Sequence, residues 1–198
     1  SKDQQDEFAV KSQNKTEVAQ KGNKFKNEIF DISIKTKKES IIFNQDEFPR
    51  HGSTFEKISS LKPVFKKDGT VTAGNASGIN DGSCAMIVAS EMGIRDQALT
   101  PRARVIATTV VGLAPRIMGH GPALAVPKVL SMAGLSLEQI DIIELNEAFA
   151  AQVLSVTRAL GLEDDDKRVN PNGGAIALGH PLGMSGARLV MTAINHLH

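Results

Sequence analysis

Asn170-Pro171-Asn172-Gly173-Gly174-Ala175-Ile176-Ala177-Leu178-Gly179-His180-Pro181 sets turn-forming residues ahead of a short apolar run and ends on a histidine between a glycine and a proline. Backbone freedom before His180 and a fixed φ after it allow the imidazole to be held in one direction against a bulky ligand. Such a histidine is a candidate general base or oxyanion donor, although buried histidines also occur without catalysis. Downstream, Ser185 to Leu197 carries Leu189, Ile194 and Leu197 at helical spacing, so the loop feeds a helix.

Upstream, two more segments place polar groups at turns or strand ends, where folds build their sites. One is Gly74-Asn75-Ala76-Ser77-Gly78-Ile79-Asn80-Asp81-Gly82 and the other Asn146-Glu147-Ala148-Phe149-Ala150. Ile140 to Leu145 reads as a strand running into a helix from Glu147 to Leu160, which leaves Asn146 open to a plain reading as a helix N-cap and Glu147 as a first-turn carboxylate. Ser83 to Ala89 and Arg104 to Val111 read as buried strands rich in β-branched residues. Pro122 to Ala133 reads as a helix stopped by Gly134, with Pro127 tolerated in its first turn or at a bend. The alternation predicts an α/β domain. Glu163-Asp164-Asp165-Asp166 reads as a solvated loop.

Composition shifts near residue 70. Every Phe except Phe149, and most of the Lys and Arg, lie before it. Residues 3 to 21 predict a polar helix with Phe8, Ala9, Ser12, Val18 and Ala19 on a narrow buried face, ended by Gly22. Phe25 to Ile34 and Ser40 to Phe43 predict short strands joined by a Lys-rich turn. Residues 1–70 are therefore expected to form an insertion and 71–198 a compact core.

A chain of 198 residues with 41% hydrophobic residues can bury a core. Its net charge of +1 carries no electrostatic footprint for nucleic acid or an anionic membrane. No run approaches the roughly 20 apolar residues of a membrane span, and the polar start resembles no signal peptide. One cysteine, Cys84, allows neither an internal disulfide nor a cysteine metal site and fits a reducing compartment, with cytoplasm expected. His51, His120, His180, His196 and His198 lack metal-ligand spacing, so no metal is expected. Walker and dinucleotide fingerprints are missing in the required context. The start without Met, and an end inside an apolar-periodic helix, are those expected of a segment of a longer protein.

Asn146 to Ala150, then Asn172 to Pro181, Gly183 and Ser185-Gly186-Ala187-Arg188, resemble the thiolase family in residue type, order and spacing. Gly74 to Gly82 and Met118-Gly119-His120-Gly121-Pro122 are similar to further thiolase segments, so the resemblance runs along the whole chain. It implies the layered α-β-α-β-α thiolase fold, with this chain supplying part of the insertion (loop) domain and the C-terminal core half, truncated before its last strands. It also implies a ping-pong Claisen condensation or thiolysis of 3-oxoacyl-CoA thioesters, with no permanently bound cofactor and a homodimer or homotetramer.

By that resemblance His180 Nε2 and a water held by Asn146 are donors to the enolate oxygen. Ser77 holds the pantetheine arm of coenzyme A, Leu61, Phe65, Met118 and Phe149 line its tunnel, and Arg50 lies against adenine. Both catalytic cysteines of the family fall outside this sequence. Cys84, in what reads as a buried strand, is expected to be an inert core thiol, so the chain alone is expected to be inactive. Arg168 to Asn172, Leu182 to Ser185, Pro101 to Arg104 and the surroundings of Cys84 most resemble 3-oxoadipyl-CoA (beta-ketoadipyl-CoA) thiolases. Phe48 to Gly52 and Gly74 to Gly82 are shared with acetyl-CoA acetyltransferases, and a non-catalytic module binding coenzyme A thioesters is a third possibility.

Overall fold

Ser1 caps the first helix, α1 (Lys2–Lys21), with a capping box to Gln4, and Gly22 ends it. The computed structural model describes residues 1–198. A two-stranded antiparallel sheet follows, β1 (Ile32–Lys35) on β2 (Ser40–Phe43), with Ile32 opposite Phe43. The short helices α2 (Phe55–Ser59) and α3 (Glu91–Asp96) come next. The second half of the chain holds α4 (Gly121–Ala133), α5 (Ala150–Ala159), α6 (Ala175–Leu178) and α7 (Leu182–Leu197). No helix is long and apolar enough to cross a membrane.

α1 packs against α2, α5 and α6, but its buried face differs from the expected one. Gln5, Asp6, Ala9, Ser12, Gln13, Thr16 and Ala19 are buried, whereas Val18 is 70% exposed and Phe8 only partly covered. The cause is what the helix meets. Gln13 Nε2 donates to Ile176 O at 3.2 Å, Lys15 Nζ to Val169 O at 2.9 Å, and Asn75 Nδ2 to Asp6 Oδ1 at 2.8 Å. A helix seated on loop backbone buries hydrogen-bonding side chains, because an unmet buried carbonyl costs more than an exposed valine. The apolar contact is small: Ala9, Ile58, Ala150 and Ile176, whose alanines let the helices approach closely.

Gly134 stops α4 in the left-handed conformation at φ 68°, as read from the sequence, and Pro127 lies inside a helix that continues past it. Three expected strands do not form. Ser83 to Ala89 and Arg104 to Val111 run without ladder partners, leaving Val88 and Val110 79% and 86% exposed. Ile140 to Leu145 is reduced to a parallel bridge between Ile143 and Val169. β-branched composition supplies strand propensity, but a strand exists only where a second one takes its hydrogen bonds. The expected strand from Phe25 is confined to Ile32–Lys35, with Phe25 itself buried in the turn after α1. Cys84 is only partly covered and in no strand, its Sγ 4.0 Å from Met191 Sδ. The acidic run is tied down: Arg158 pairs with Asp164, and Arg168 bridges Asp166 to the Leu137 carbonyl.

Candidate active site

The backbone joins all three segments singled out above. His180 N donates to Gly78 O at 3.1 Å, Ala150 N to Asn75 O at 2.9 Å, and Ser77 N to Ala148 O at 3.0 Å, the last reinforced by Ser77 Oγ at 3.1 Å. Gly179 makes the approach possible. Its φ is 90°, and a Cβ there would fall on the side chain of Asn80.

At this junction Asn146 Nδ2 lies 3.2 Å from His180 Nε2, and His180 Nδ1 lies 2.7 Å from Ser185 Oγ. Burial, and then the charge of Arg188, hold the His180 pKa below its ordinary value, which favours the neutral ring. Asn146 Oδ1 is buried and has no donor among the protein's own groups. The helix-cap reading of Asn146 is excluded, since α5 begins at Ala150 with Phe149 as its N-cap.

Glu147 is not a first-turn carboxylate either. It is 1% exposed, and it accepts from Ser12 Oγ at 2.6 Å, Asn170 Nδ2 at 2.8 Å and Ile176 N at 3.2 Å. Asn170, held at φ 43°, also exchanges two hydrogen bonds with the backbone of Leu145, both 2.8 Å. A Cβ on Gly174 would collide with the Glu147 carboxylate. Glu147 therefore ties the segment carrying Asn146 to the loop carrying His180 and to α1. Desolvation raises its pKa, against the opposing effect of its three hydrogen bonds.

Below this lies Glu144, whose Oε2 is 3.4 Å from Arg188 Nη1 on α7. Burial pushes the Glu144 carboxyl up from the ordinary 4.5 to about 7, Arg188 opposing and Glu147 and Glu28 adding to the rise. The folded chain thus binds this proton more tightly than the unfolded chain. Its contribution to stability is complete below pH 4.5 and is lost as the pH rises through about 7. Glu144→Gln is expected to remove as much as about 3 kcal/mol of that pH dependence. Urea midpoints at pH 5 and pH 8 check it, and an unchanged difference between the two would contradict the assignment.

A groove of about 300 Å³ opens beside the junction, lined by Phe65, Val71, Phe149, Ala151 and Gln152. The rings of Phe65 and Phe149 meet edge to face, with centroids 6.1 Å apart. The other residues singled out from the sequence do not line it. Leu61 packs on Gly74, and Met118 is exposed next to Gly119, which packs on Gln152. The Arg50 guanidinium stands 5.9 Å over the Phe48 ring, and that ring packs on Gly78. A second hollow of about 400 Å³, lined by Gln20, Asp46 and His51 among others, shares no residue with the pair.

Ser12, Asn170, Glu144, Ser185 and Arg188 were not picked out individually as site residues, although all support the Asn146–His180 pair. Ser185 had a readable signal: it follows His180 by five residues, in the first turns of the predicted helix. Ser12 had none, being 135 residues from Glu147.

Comparison with known proteins shows that the chain belongs to the thiolase family. The description "Thiolase, C-terminal domain" matches residues 99–198, and "Thiolase, N-terminal domain" matches residues 1–92. Beta-ketoadipyl-CoA thiolase of Acinetobacter baylyi is 55% identical over 197 residues, covering 99% of this chain and 49% of that protein. Among solved structures, Bacillus anthracis acetyl-CoA acetyltransferase superposes with a TM-score of 0.94 at 44% identity, over 100% of this chain and 50% of the other. Human mitochondrial 3-ketoacyl-CoA thiolase in complex with CoA gives 0.91 at 45% identity, over 100% and 48%. The fold is the α/β thiolase fold, and the chain spans about half the length of the curated relatives it matches.

Proposed function

We propose that this chain supplies the asparagine–histidine side of a thiolase active site, in an acyltransferase that cleaves or forms 3-oxoacyl-CoA thioesters. The observation that carries the reading is the 3.2 Å approach of Asn146 to His180 where three separate loops converge. Claisen chemistry on a thioester places enolate charge on oxygen, and preorganised donors in a dry site stabilise it. His180 Nε2 takes a proton from the sulfur that it activates and then donates to that oxygen. Asn146 Oδ1 holds the water that serves as the second donor.

The apolar walls of Phe65 and Phe149 suit a pantetheine arm, which Ser77 would anchor. In this reading Leu61 and Met118 would extend that path, and Arg50, 5.9 Å over the Phe48 ring, would lie against adenine. Coenzyme A and its thioesters are substrates in this account rather than bound cofactors. Residues 1–70 belong with the loop domain and 71–198 with the C-terminal core half, a division carried by composition. Cys84 is the chain's single thiol. It packs on Met191 rather than on the pair, so the acyl-carrying cysteine comes from other thiolase segments and the chain alone is inactive. The whole enzyme is a cytoplasmic homodimer or homotetramer.

The preferred substrate is 3-oxoadipyl-CoA, supported by the 55% identity to the Acinetobacter enzyme. The acetyl-CoA acetyltransferase reading is favoured by the TM-score of 0.94 to the Bacillus enzyme. Thiolysis rates with each ester, measured on this chain complemented by the remaining thiolase segments, separate the two. Faster turnover of 3-oxoadipyl-CoA supports the first, and faster turnover of acetoacetyl-CoA replaces it with the second.

A further inference from the structure

Ser185 stands behind the histidine, and the thiolase chemistry above assigns it nothing. It is buried in the second turn of α7, with Oγ 2.7 Å from His180 Nδ1 and 3.0 Å from Pro181 O. A hydroxyl has one proton to give and lone pairs to receive with. The Pro181 carbonyl can only accept, so it takes the hydroxyl proton, in the back-bonding arrangement common for serine in helices. The Ser185 oxygen then turns a lone pair toward Nδ1, which must carry hydrogen.

The other side of the ring agrees. Asn146 presents Nδ2, which can only donate, so with the amide in this placement the Nε2 at 3.2 Å is the bare nitrogen. With Nε2–H instead, two N–H groups would point at each other, and Pro181 O would keep only its two backbone donors, Met184 N and Ser185 N, each at 2.9 Å. The ring has little room to escape, because Gly179 is pressed against Asn80 on one side and the proline fixes the chain on the other.

We propose that Ser185 is a positioning residue that holds neutral His180 as the Nδ1–H tautomer, with Nε2 bare, so that His180 enters the reaction as a proton acceptor. The use of that lone pair rests on the thiolase reading. The tautomer does not.

The test is ring nitrogen NMR on the ¹⁵N-labelled 198-residue protein, at a pH where His180 is neutral. Two-bond nitrogen–proton correlations report which nitrogen carries hydrogen. Nδ1 is expected to be protonated and Nε2 bare, and Asn146→Ala, which leaves Ser185 in place, is expected to keep that state. Ser185→Ala is expected to give a mixture or the opposite tautomer, and Ser185→Thr to restore the original. An Nε2–H ring in the unsubstituted protein, or a tautomer lost in Asn146→Ala, overturns the proposal whether or not Ser185→Ala folds. So does a folded Ser185→Ala protein whose tautomer is unchanged. In the complemented enzyme, Ser185→Ala is expected to lower kcat by about 10²-fold with KM little changed. Absence of thiolysis by the unsubstituted complemented enzyme, with the tautomer as described, would count against the thiolase reading and leave the role of Ser185 standing.

Discussion

His180→Ala, introduced into this chain and assayed with the complementary thiolase segments, is expected to lower kcat by about 10²- to 10⁴-fold, with KM for the coenzyme A ester near its starting value. The split follows from where the side chain sits. Its Nε2 meets Asn146, and its Nδ1 meets Ser185. The apolar groove is lined by Phe65, Val71 and Phe149 instead. In the mechanism proposed above, removing the imidazole removes a proton acceptor and a donor to developing charge, while the apolar groove proposed for the pantetheine arm survives. An equal rise in KM without a fall in kcat would place His180 in ground-state binding and contradict the mechanism proposed here.

Glu147→Ala is expected to cost about 3 kcal/mol of stability or more, a large share of the about 5–15 kcal/mol that holds a domain folded. Two effects oppose each other. Removing a carboxylate whose pKa burial has raised recovers desolvation energy. Against that, Ser12 Oγ, Asn170 Nδ2 and the Ile176 amide lose their shared acceptor in a buried place, at about 1–3 kcal/mol for each donor left unmet. With three donors the second effect wins. Glu147→Gln keeps one acceptor and is expected to fall between the two proteins. Urea denaturation measures all three, and a loss in Glu147→Ala below about 1 kcal/mol would mean that the network re-forms without it.

The sequence marked the three loops that meet at the site, because glycine and proline at fixed places in a turn are local signals. It also marked α4, the stop at Gly134 and the last helix, through periodicity and capping. The supports of the site were hidden for a different reason. Ser12 reaches Glu147 from 135 residues away, and Asn170 and Ile176 reach it from a loop 23 and 29 residues downstream; no local pattern distinguishes a carboxylate with such donors from one facing water. The same holds for α1, where a pattern argument looks for an apolar stripe while the helix buries Gln13 and Thr16 against backbone carbonyls and Asp6 against the Asn75 side chain. The three missing strands show the converse limit: Val105, Ile106 and Val110 carry strand propensity, but a ladder needs a partner that propensity cannot supply.

Thiolysis of 3-oxoadipyl-CoA and acetoacetyl-CoA by the purified 198-residue chain, with and without the complementary thiolase segments, tests the central claim most directly. The half-site described here predicts no turnover by the chain alone and turnover on complementation, lost again with His180→Ala. Turnover by the chain alone would contradict it, because the single thiol, Cys84, lies against Met191 rather than beside His180.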